Sequence, residues 1–303
     1  MKKTMGLREL IKNPEILIAP GAYDALSAKL IEAAGFDAVY MSGFGTAAGI
    51  FGLPDIGMVT MTEMVENAKR IADSVGIPVV ADADTGYGNH LNVIRTLGEY
   101  EKAGVAGIQI EDQISPKRCG HMDGQKIVPI HEMVAKLRAA SEARSNEDTV
   151  IIARTDAISA SGFDEAIKRG NIYRDAGADL LFIEAPRTEE QLEKIPKLIN
   201  GPVLVNVAPK TPFMHVKKYE EFGYAMVIYP AITLTAAFGS MKGKLKELKN
   251  HGITEDDGHG NVPFEELIEF LGLSTYRNLE ARVLADQPGN DRAENSGQDF
   301  EMK

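Results

Sequence analysis

The sequence predicts a single closed (β/α)8 barrel, an α/β fold of the TIM-barrel class. Three observations carry this: a repeated helix-end-to-strand phrase, eight short apolar runs spread over roughly 250 residues, and polar residues just past six of those runs. The phrase reads Ala34-Gly35-Phe36-Asp37-Ala38-Val39, returns at Ala103-Gly104-Val105 and Ala176-Gly177-Ala178, and has a looser copy at Phe222-Gly223-Tyr224. A glycine after a helix supplies the left-handed C-terminal cap, and the apolar run behind it reads as a buried parallel strand.

In chain order the expected strands are Ile16–Ala19, Ala38–Met41, Val79–Ala81, Gly107–Ile110, Val150–Ala153, Leu180–Ile183, Val203–Val205 and Met226–Tyr229. Between them, Met61–Ser74, Ile130–Arg144 and Glu189–Leu198 carry apolar residues at helical spacing and good helix formers. No G-x-G-x-x-G follows the first strand, which speaks against an open dinucleotide-binding sheet. The barrel is expected over residues 1–249. Residues 250–285 read as a polar linker and an additional helix, Phe264–Leu273, whose apolar face needs a partner. The polar tail 286–303 reads as disordered.

A net charge of -11 disfavours nucleic acid and anionic membrane surfaces as partners. Cys119 is the single cysteine, so no intrachain disulfide exists and a reduced, cytoplasmic setting fits best. Apolar residues never run together over the roughly 18 positions that a membrane span needs, and the N-terminus does not read as a signal peptide.

Residues just past each strand of a parallel barrel face one mouth. Ser42 and Gly43, Asp82 and Asp84, Glu111 and Asp112, Arg154 and Asp156, Glu184, and Asn206 all stand at such positions. Asp82 and Asp84 alternate, so both carboxylates point the same way in extended backbone, and Glu111 can join them from the next strand. Oxygen ligands of this kind suit Mg2+ or Mn2+. For each acid taken singly the competing reading is a helix N-cap; for the set, crowded carboxylates favour a cation between them. Arg154 beside such a cation suits carboxylate recognition, with a plain salt bridge as the alternative. In Ser115–Gly124, Lys117, Arg118 and His121 would stabilise a Cys119 thiolate, and Gly120 and Gly124 suit a loop that closes over substrate.

At Lys117-Arg118-Cys119-Gly120-His121 the sequence resembles the isocitrate lyase and phosphoenolpyruvate mutase superfamily, most closely its methylisocitrate lyase and dimethylmalate lyase branches. The likeness runs from about Leu7 to Leu273, through Pro20-Gly21-Ala22-Tyr23-Asp24, Leu53-Pro54-Asp55, Ala81–Gly88, Ile110-Glu111-Asp112-Gln113 and Ala153–Ala157. The resemblance implies a C-terminal helix exchanged between subunits of a homotetramer built as a dimer of dimers. It implies Mg2+ held through Asp82, with Asp55, Asp84 and Glu111 ordering its waters. It further implies that Ser42, Gly43 and Arg154 hold the carboxylate of a keto-acid product, with Gly120, Glu184, Asn206, Thr211 and Pro212 as further binding residues.

The expected reaction is scission of a carbon–carbon bond in a small 2-hydroxy di- or tricarboxylic acid. Tyr40 is the candidate base, and Cys119, aided by His121, the acid that protonates the released carbanion. Two departures bear on the substrate: Met122 stands where methylisocitrate lyases carry Arg, and Asn206–Lys210 is shorter than their corresponding stretch. The competing readings are oxaloacetate hydrolysis or decarboxylation, a phosphonomutase reaction, which the presence of Cys119 speaks against because the resemblance implies that mutase loops lack this cysteine, and a non-catalytic barrel that binds through its C-terminal helix.

Overall fold

The computed structural model describes residues 2–254 and 262–285. Eight parallel strands pair in chain order and close the last onto the first: β1 (Leu17–Ala22), β2 (Val39–Met41), β3 (Val79–Asp82), β4 (Gly107–Glu111), β5 (Val150–Thr155), β6 (Leu180–Ile183), β7 (Val203–Asn206) and β8 (Met226–Tyr229). The fold is the (β/α)8 barrel that the sequence predicts. Helices Met61–Ser74 and Glu189–Leu198 take the expected spans, and Ile130–Ala143 stops one residue short.

Strands β3, β4, β5 and β7 run past the apolar residues into polar ones, because backbone pairing continues where hydrophobicity stops. Asp82 pairs in register with Gln109, Glu111 with Arg154, and Asn206 with Ile228. Two apolar layers enforce the closure. Outward residues such as Val79, Ile108, Ile151 and Val203 pack against the helices. Inward ones, among them Leu17, Val80, Ile152, Phe182, Leu204 and Met226, fill the barrel interior. The helix Lys2–Lys12, which periodicity did not reveal, contributes the fully buried Leu7 to that interior cluster.

The chain forms two compact units, Met1–Phe238 and Gly239–Lys303, which meet inside the long helix Ile232–His251. In the second unit the expected helix Phe264–Leu273 is instead two, Phe264–Phe270 and Leu273–Ala285. They part at Gly272, whose φ of 89° only glycine adopts at little cost. Phe264, Tyr276 and Val283 of these helices are exposed. Residues 255–261 of the expected linker and the whole expected tail lie outside the described residues. No helix among the described residues is long and apolar enough to cross a membrane.

Candidate active site

The period of two that builds the barrel interior also builds its mouth. Two residues beyond the inward-facing Tyr40, Val80, Ile152, Phe182 and Leu204 come Ser42, Asp82, Arg154, Glu184 and Asn206, on the same inner face. With Tyr40, Asp55, Cys119, Gly120 and His121 they line a cavity of about 330 Å³. Its other wall is apolar: Phe44, Ala208, Pro209, Ile228 and Pro230.

The remaining expected residues fall differently. Gly43 and Asp84 border a smaller hollow beside the cavity, next to Asp55. A Cβ at Gly43 would stand 2.6 Å from an Asp82 carboxylate oxygen, so only glycine lets that side chain keep its place. Glu111 contacts the Arg154 guanidinium, its Oε2 3.3 Å from Arg154 Nε. Thr211 and Pro212, expected at the substrate wall, do not line the cavity. The short stretch after Asn206 turns back through a bond from the Thr211 N–H to the Ala208 carbonyl, 2.9 Å, and this places Ala208 and Pro209 at the wall instead.

Helix capping does not explain the acids. After β3 the helix His90–Lys102 is capped by Asn89, and after β4 the helix Ile130–Ala143 follows Pro129. Asp156 precedes the short helix Ala157–Ser161 without a side-chain cap bond. Asp82, Asp84 and Glu111 are buried, and their charge is incompletely balanced. Burial, reinforced by the Asp84 charge, pushes the Asp82 carboxyl up to about 6. Burial likewise lifts Glu111 well above the carboxylate range despite Arg154, and neither of its oxygens accepts a hydrogen bond. Asp84 sits at a φ of 46°, strain of the kind that collects at working sites.

Positive charge arrives from two side chains. Lys117 places its ammonium 2.5 Å from Asp55 Oδ1 and 2.7 Å from Asp84 Oδ1. This corrects the reading of Lys117 as a thiolate partner: it serves the carboxylates. Arg154 directs its fork at Asp156, Nε to Oδ2 3.0 Å and Nη2 to Oδ1 2.9 Å, with Glu184 Oε2 3.3 Å from Nη2. Its bidentate edge is taken by the protein, so toward the cavity Arg154 acts as a fixed counter-charge. Among the described residues no three His, Cys, Asp or Glu side chains stand as a preformed metal cage. The undercompensated Asp82 and Glu111 nevertheless fit a hydrated divalent cation, which needs few direct carboxylate ligands.

Burial pushes the Cys119 thiol up, partly offset by a bond from the His121 backbone, so the side chain is a neutral S–H and not the expected thiolate. His121 Nδ1 accepts from the Lys210 N–H at 3.1 Å, which assigns the ring proton to Nε2, 3.2 Å from Glu184 Oε1. Glu184 is buried, yet Arg154 and His121 hold it down at about 2, a permanent anion. Asn206 donates to Glu184 Oε2 at 3.1 Å and leaves its buried Oδ1 without a partner, an acceptor for a ligand hydroxyl. Tyr40 donates to Gln109 Oε1 at 3.0 Å, and burial followed by the Asp82 charge raises its phenol well above the usual range. That environment keeps Tyr40 protonated and weighs against its expected role as base.

Several residues escaped the sequence reading. The apolar wall carries no polar signal, and Gln109 hides inside an apolar run. Asp112, seen only as a strand-end acid, is a buried hub that accepts from Thr155 Oγ1 (2.7 Å), the Asp156 N–H (3.0 Å), Arg169 Nη1 (3.0 Å) and Tyr173 OH (2.8 Å), and so anchors the segment bearing Arg154. A larger hollow of about 550 Å³ lies by Thr85, His90, His131 and Lys136. None of the inward strand-end residues reaches it, and the smaller cavity holds the chemistry.

An acid-base centre at the strand C-termini of a closed parallel barrel, under a loop that carries a protonated thiol, defines a (β/α)8-barrel enzyme. More narrowly, the chain belongs to the phosphoenolpyruvate phosphomutase family, whose model matches residues 7–249, within the phosphoenolpyruvate mutase and isocitrate lyase superfamily. It is 46% identical over 282 residues to 2,3-dimethylmalate lyase of Eubacterium barkeri, covering 92% of this chain and 98% of that protein. It is 38% identical over 279 residues to 2-methylisocitrate lyase of Aeropyrum pernix, covering 91% and 90%. A solved oxaloacetate acetylhydrolase in complex with the inhibitor 3,3-difluorooxalacetate superposes with a TM-score of 0.88 at 35% identity, covering 93% of this chain and 97% of that one. The likeness to named lyases over most of the chain makes this protein a carbon–carbon lyase.

Proposed function

We propose that the protein cleaves a small 2-hydroxy di- or tricarboxylic acid, of the 2-methylisocitrate or 2,3-dimethylmalate type, into pyruvate or a related keto acid and a carboxylate. The observation that carries this is the position of Cys119: a thiol kept protonated by burial lines the same cavity as Asp82, Arg154 and Glu184. Retro-aldol scission needs a proton taken from the substrate hydroxyl, charge stabilisation while the bond breaks, and a proton returned to the carbanion. Cys119 supplies the last step, its S–H bond breaking as the carbon–hydrogen bond forms, with the thiolate reprotonated afterwards from solvent. Arg154 stabilises the anionic fragments as a fixed charge, and Asn206 Oδ1 receives a substrate hydroxyl. With Tyr40 a phenol, the hydroxyl proton passes to a carboxylate of the floor. The dry wall of Phe44, Ile228 and Pro230 accommodates a methyl substituent and excludes water.

Asp82, with Asp55, Asp84 and Glu111 around it, would hold Mg2+, and Mn2+ suits the same oxygen donors. Bound there, the cation supplies Lewis-acid polarisation of the substrate hydroxyl and carboxylate. We place the enzyme in the cytoplasm as a homotetramer of helix-swapped dimers, a reading supported by the exposed Phe264, Tyr276 and Val283.

The 35% likeness to an oxaloacetate acetylhydrolase supports a second reading, hydrolysis of oxaloacetate on the same platform. Incubation with Mg2+ and each of methylisocitrate, dimethylmalate, isocitrate and oxaloacetate, followed by mass spectrometry, separates the two. Pyruvate with succinate, or pyruvate with propionate, supports the first reading. Oxalate with acetate supports the second, and four intact substrates overturn both.

A further inference from the structure

We propose that Gln125, which does not line the cavity, is a positioning residue for the reaction: its carboxamide gathers three backbone carbonyls and fixes the turn that presents Cys119. Gln125 is buried, and its Nε2 lies 2.8 Å from the Cys119 carbonyl, 2.9 Å from that of Gly120 and 2.6 Å from that of Met122. The turn itself closes with a bond from the Met122 N–H to the Cys119 carbonyl, 2.9 Å. Tight turning brings three carbonyl dipoles together, and they repel unless donors lie between them. Gln125 places its donors at that point. A Cβ at Gly120 would collide with the Arg154 guanidinium, so a shift of this turn displaces Cys119 and breaks the fit of the loop on the site floor.

The rest of the loop is braced independently. Gln113 pairs with the Arg118 backbone in both directions, Nε2 to the carbonyl 2.8 Å and Oε1 from the N–H 3.0 Å. The loop feet join through Gln113 and Ile127 and through the Ile114 N–H to the Lys126 carbonyl, 2.8 Å. The Cys119 N–H also bonds the Asp55 carbonyl, 3.1 Å, and Lys210 Nζ the Met122 carbonyl, 2.5 Å, so loss of Gln125 removes the donor inside the turn 119–122 and loosens it there, while these outer bonds and the loop feet stay in place. The amide carries only two protons for three acceptors, whereas a lysine ammonium at similar reach carries three. Donor count, not side-chain identity, is what the turn requires.

This inference rests on Cys119 as the acid, and its test has a readout that does not. Gln125→Leu, Gln125→Glu and Gln125→Lys are compared by kcat and KM on the substrate found above, by thermal unfolding, and by the rate of iodoacetamide alkylation of the chain's only cysteine. Gln125→Leu is expected to lower kcat about 10–100-fold with KM nearly unchanged, and to speed alkylation as the thiol is uncovered. Gln125→Glu behaves alike at neutral pH and recovers in part on acidification, as its carboxyl gains one proton to donate. Gln125→Lys stays close to wild type. Wild-type kcat and alkylation in Gln125→Leu, or a loss in Gln125→Lys equal to that in Gln125→Leu, overturns the proposal. If Gln125→Leu fails to fold, the acid recovery of Gln125→Glu decides. Full activity in Cys119→Ser would remove the acid role, while the alkylation rates would still decide the positioning.

Discussion

The Lys117 ammonium bridges Asp55 and Asp84, 2.5 Å from one carboxylate and 2.7 Å from the other, with all three side chains buried. A residue of the loop thus neutralises part of the acidic floor, and a divalent cation settling among the same acids competes with it. Burial alone would lower the lysine; Asp84, Glu111 and Asp55 reverse that and keep it charged.

Lys117→Met should therefore destabilise the metal-free protein by about 3–5 kcal/mol, because two buried carboxylates lose their counter-ion. Mg2+ should then restore more stability than it adds to the wild type, since metal binding alone repairs the charge. Thermal unfolding in EDTA and in Mg2+ measures both terms. Equal metal-induced shifts in the two proteins would show that Lys117 and the cation do not share the acids.

Replacing Cys119 by serine exchanges a thiol for a far weaker acid of similar size. Turnover should fall by about 10²–10⁴-fold, while calorimetric binding of pyruvate changes little. A serine variant with undiminished kcat would take the proton-return step away from Cys119.

Arg154→Lys keeps the charge and loses the planar fork that grips Asp156. The expected result is a fall in kcat/KM of about 100-fold, carried mainly by kcat, because the fixed charge no longer stands where the anionic fragment develops. A rise in KM alone would instead make Arg154 a direct substrate clamp, the role that its position in the sequence suggested.

That difference shows which parts of the site the sequence discloses. Arg154, Glu184 and Asn206 were readable because a parallel barrel turns every strand end toward one mouth, so position implies convergence. What Arg154 touches was not readable, since Asp156 is placed against it by Asp112, Thr155 and Tyr173, which meet only in three dimensions. Thr211 and Pro212 stand off the cavity for a related reason: a shortened loop changes which residues face inward without changing residue types. The apolar wall gave no sign at all, because Phe44 and Ile228 look like any core residue until the cavity beside them is seen.

Glu184 ties acid stability to the site. Its folded-state pKa lies near 2 against an ordinary 4.5, held down by Arg154 and His121 in spite of burial. A depressed carboxyl stabilises the fold above its unfolded pKa and loses that contribution as pH falls from 4.5 through 2. Glu184→Gln should flatten the stability profile in that window, by about 3 kcal/mol at most. Unfolding by urea at a series of pH values reads the slope, and identical slopes would mean that Glu184 is not the linked group.

Asp82 works with the opposite sign. Burial and Asp84 raise it to about 6 from 3.8, so its contribution to stability is fully present below 3.8 and is lost as pH rises through 6. At pH 7.5, without metal, the ionised side chain is a net strain on the fold. Asp82→Asn should therefore stabilise the metal-free protein at pH 7.5 by about 1–3 kcal/mol and do little at pH 4, while abolishing turnover. Mg2+ should reverse the ranking, because a cation stabilises only the protein that retains the carboxylate. Paired urea titrations of wild type and Asp82→Asn, with and without Mg2+ at both pH values, give all four comparisons. If the asparagine variant is no more stable than wild type at pH 7.5 in EDTA, Asp82 is not strained; if Mg2+ stabilises both alike, Asp82 does not hold the cation.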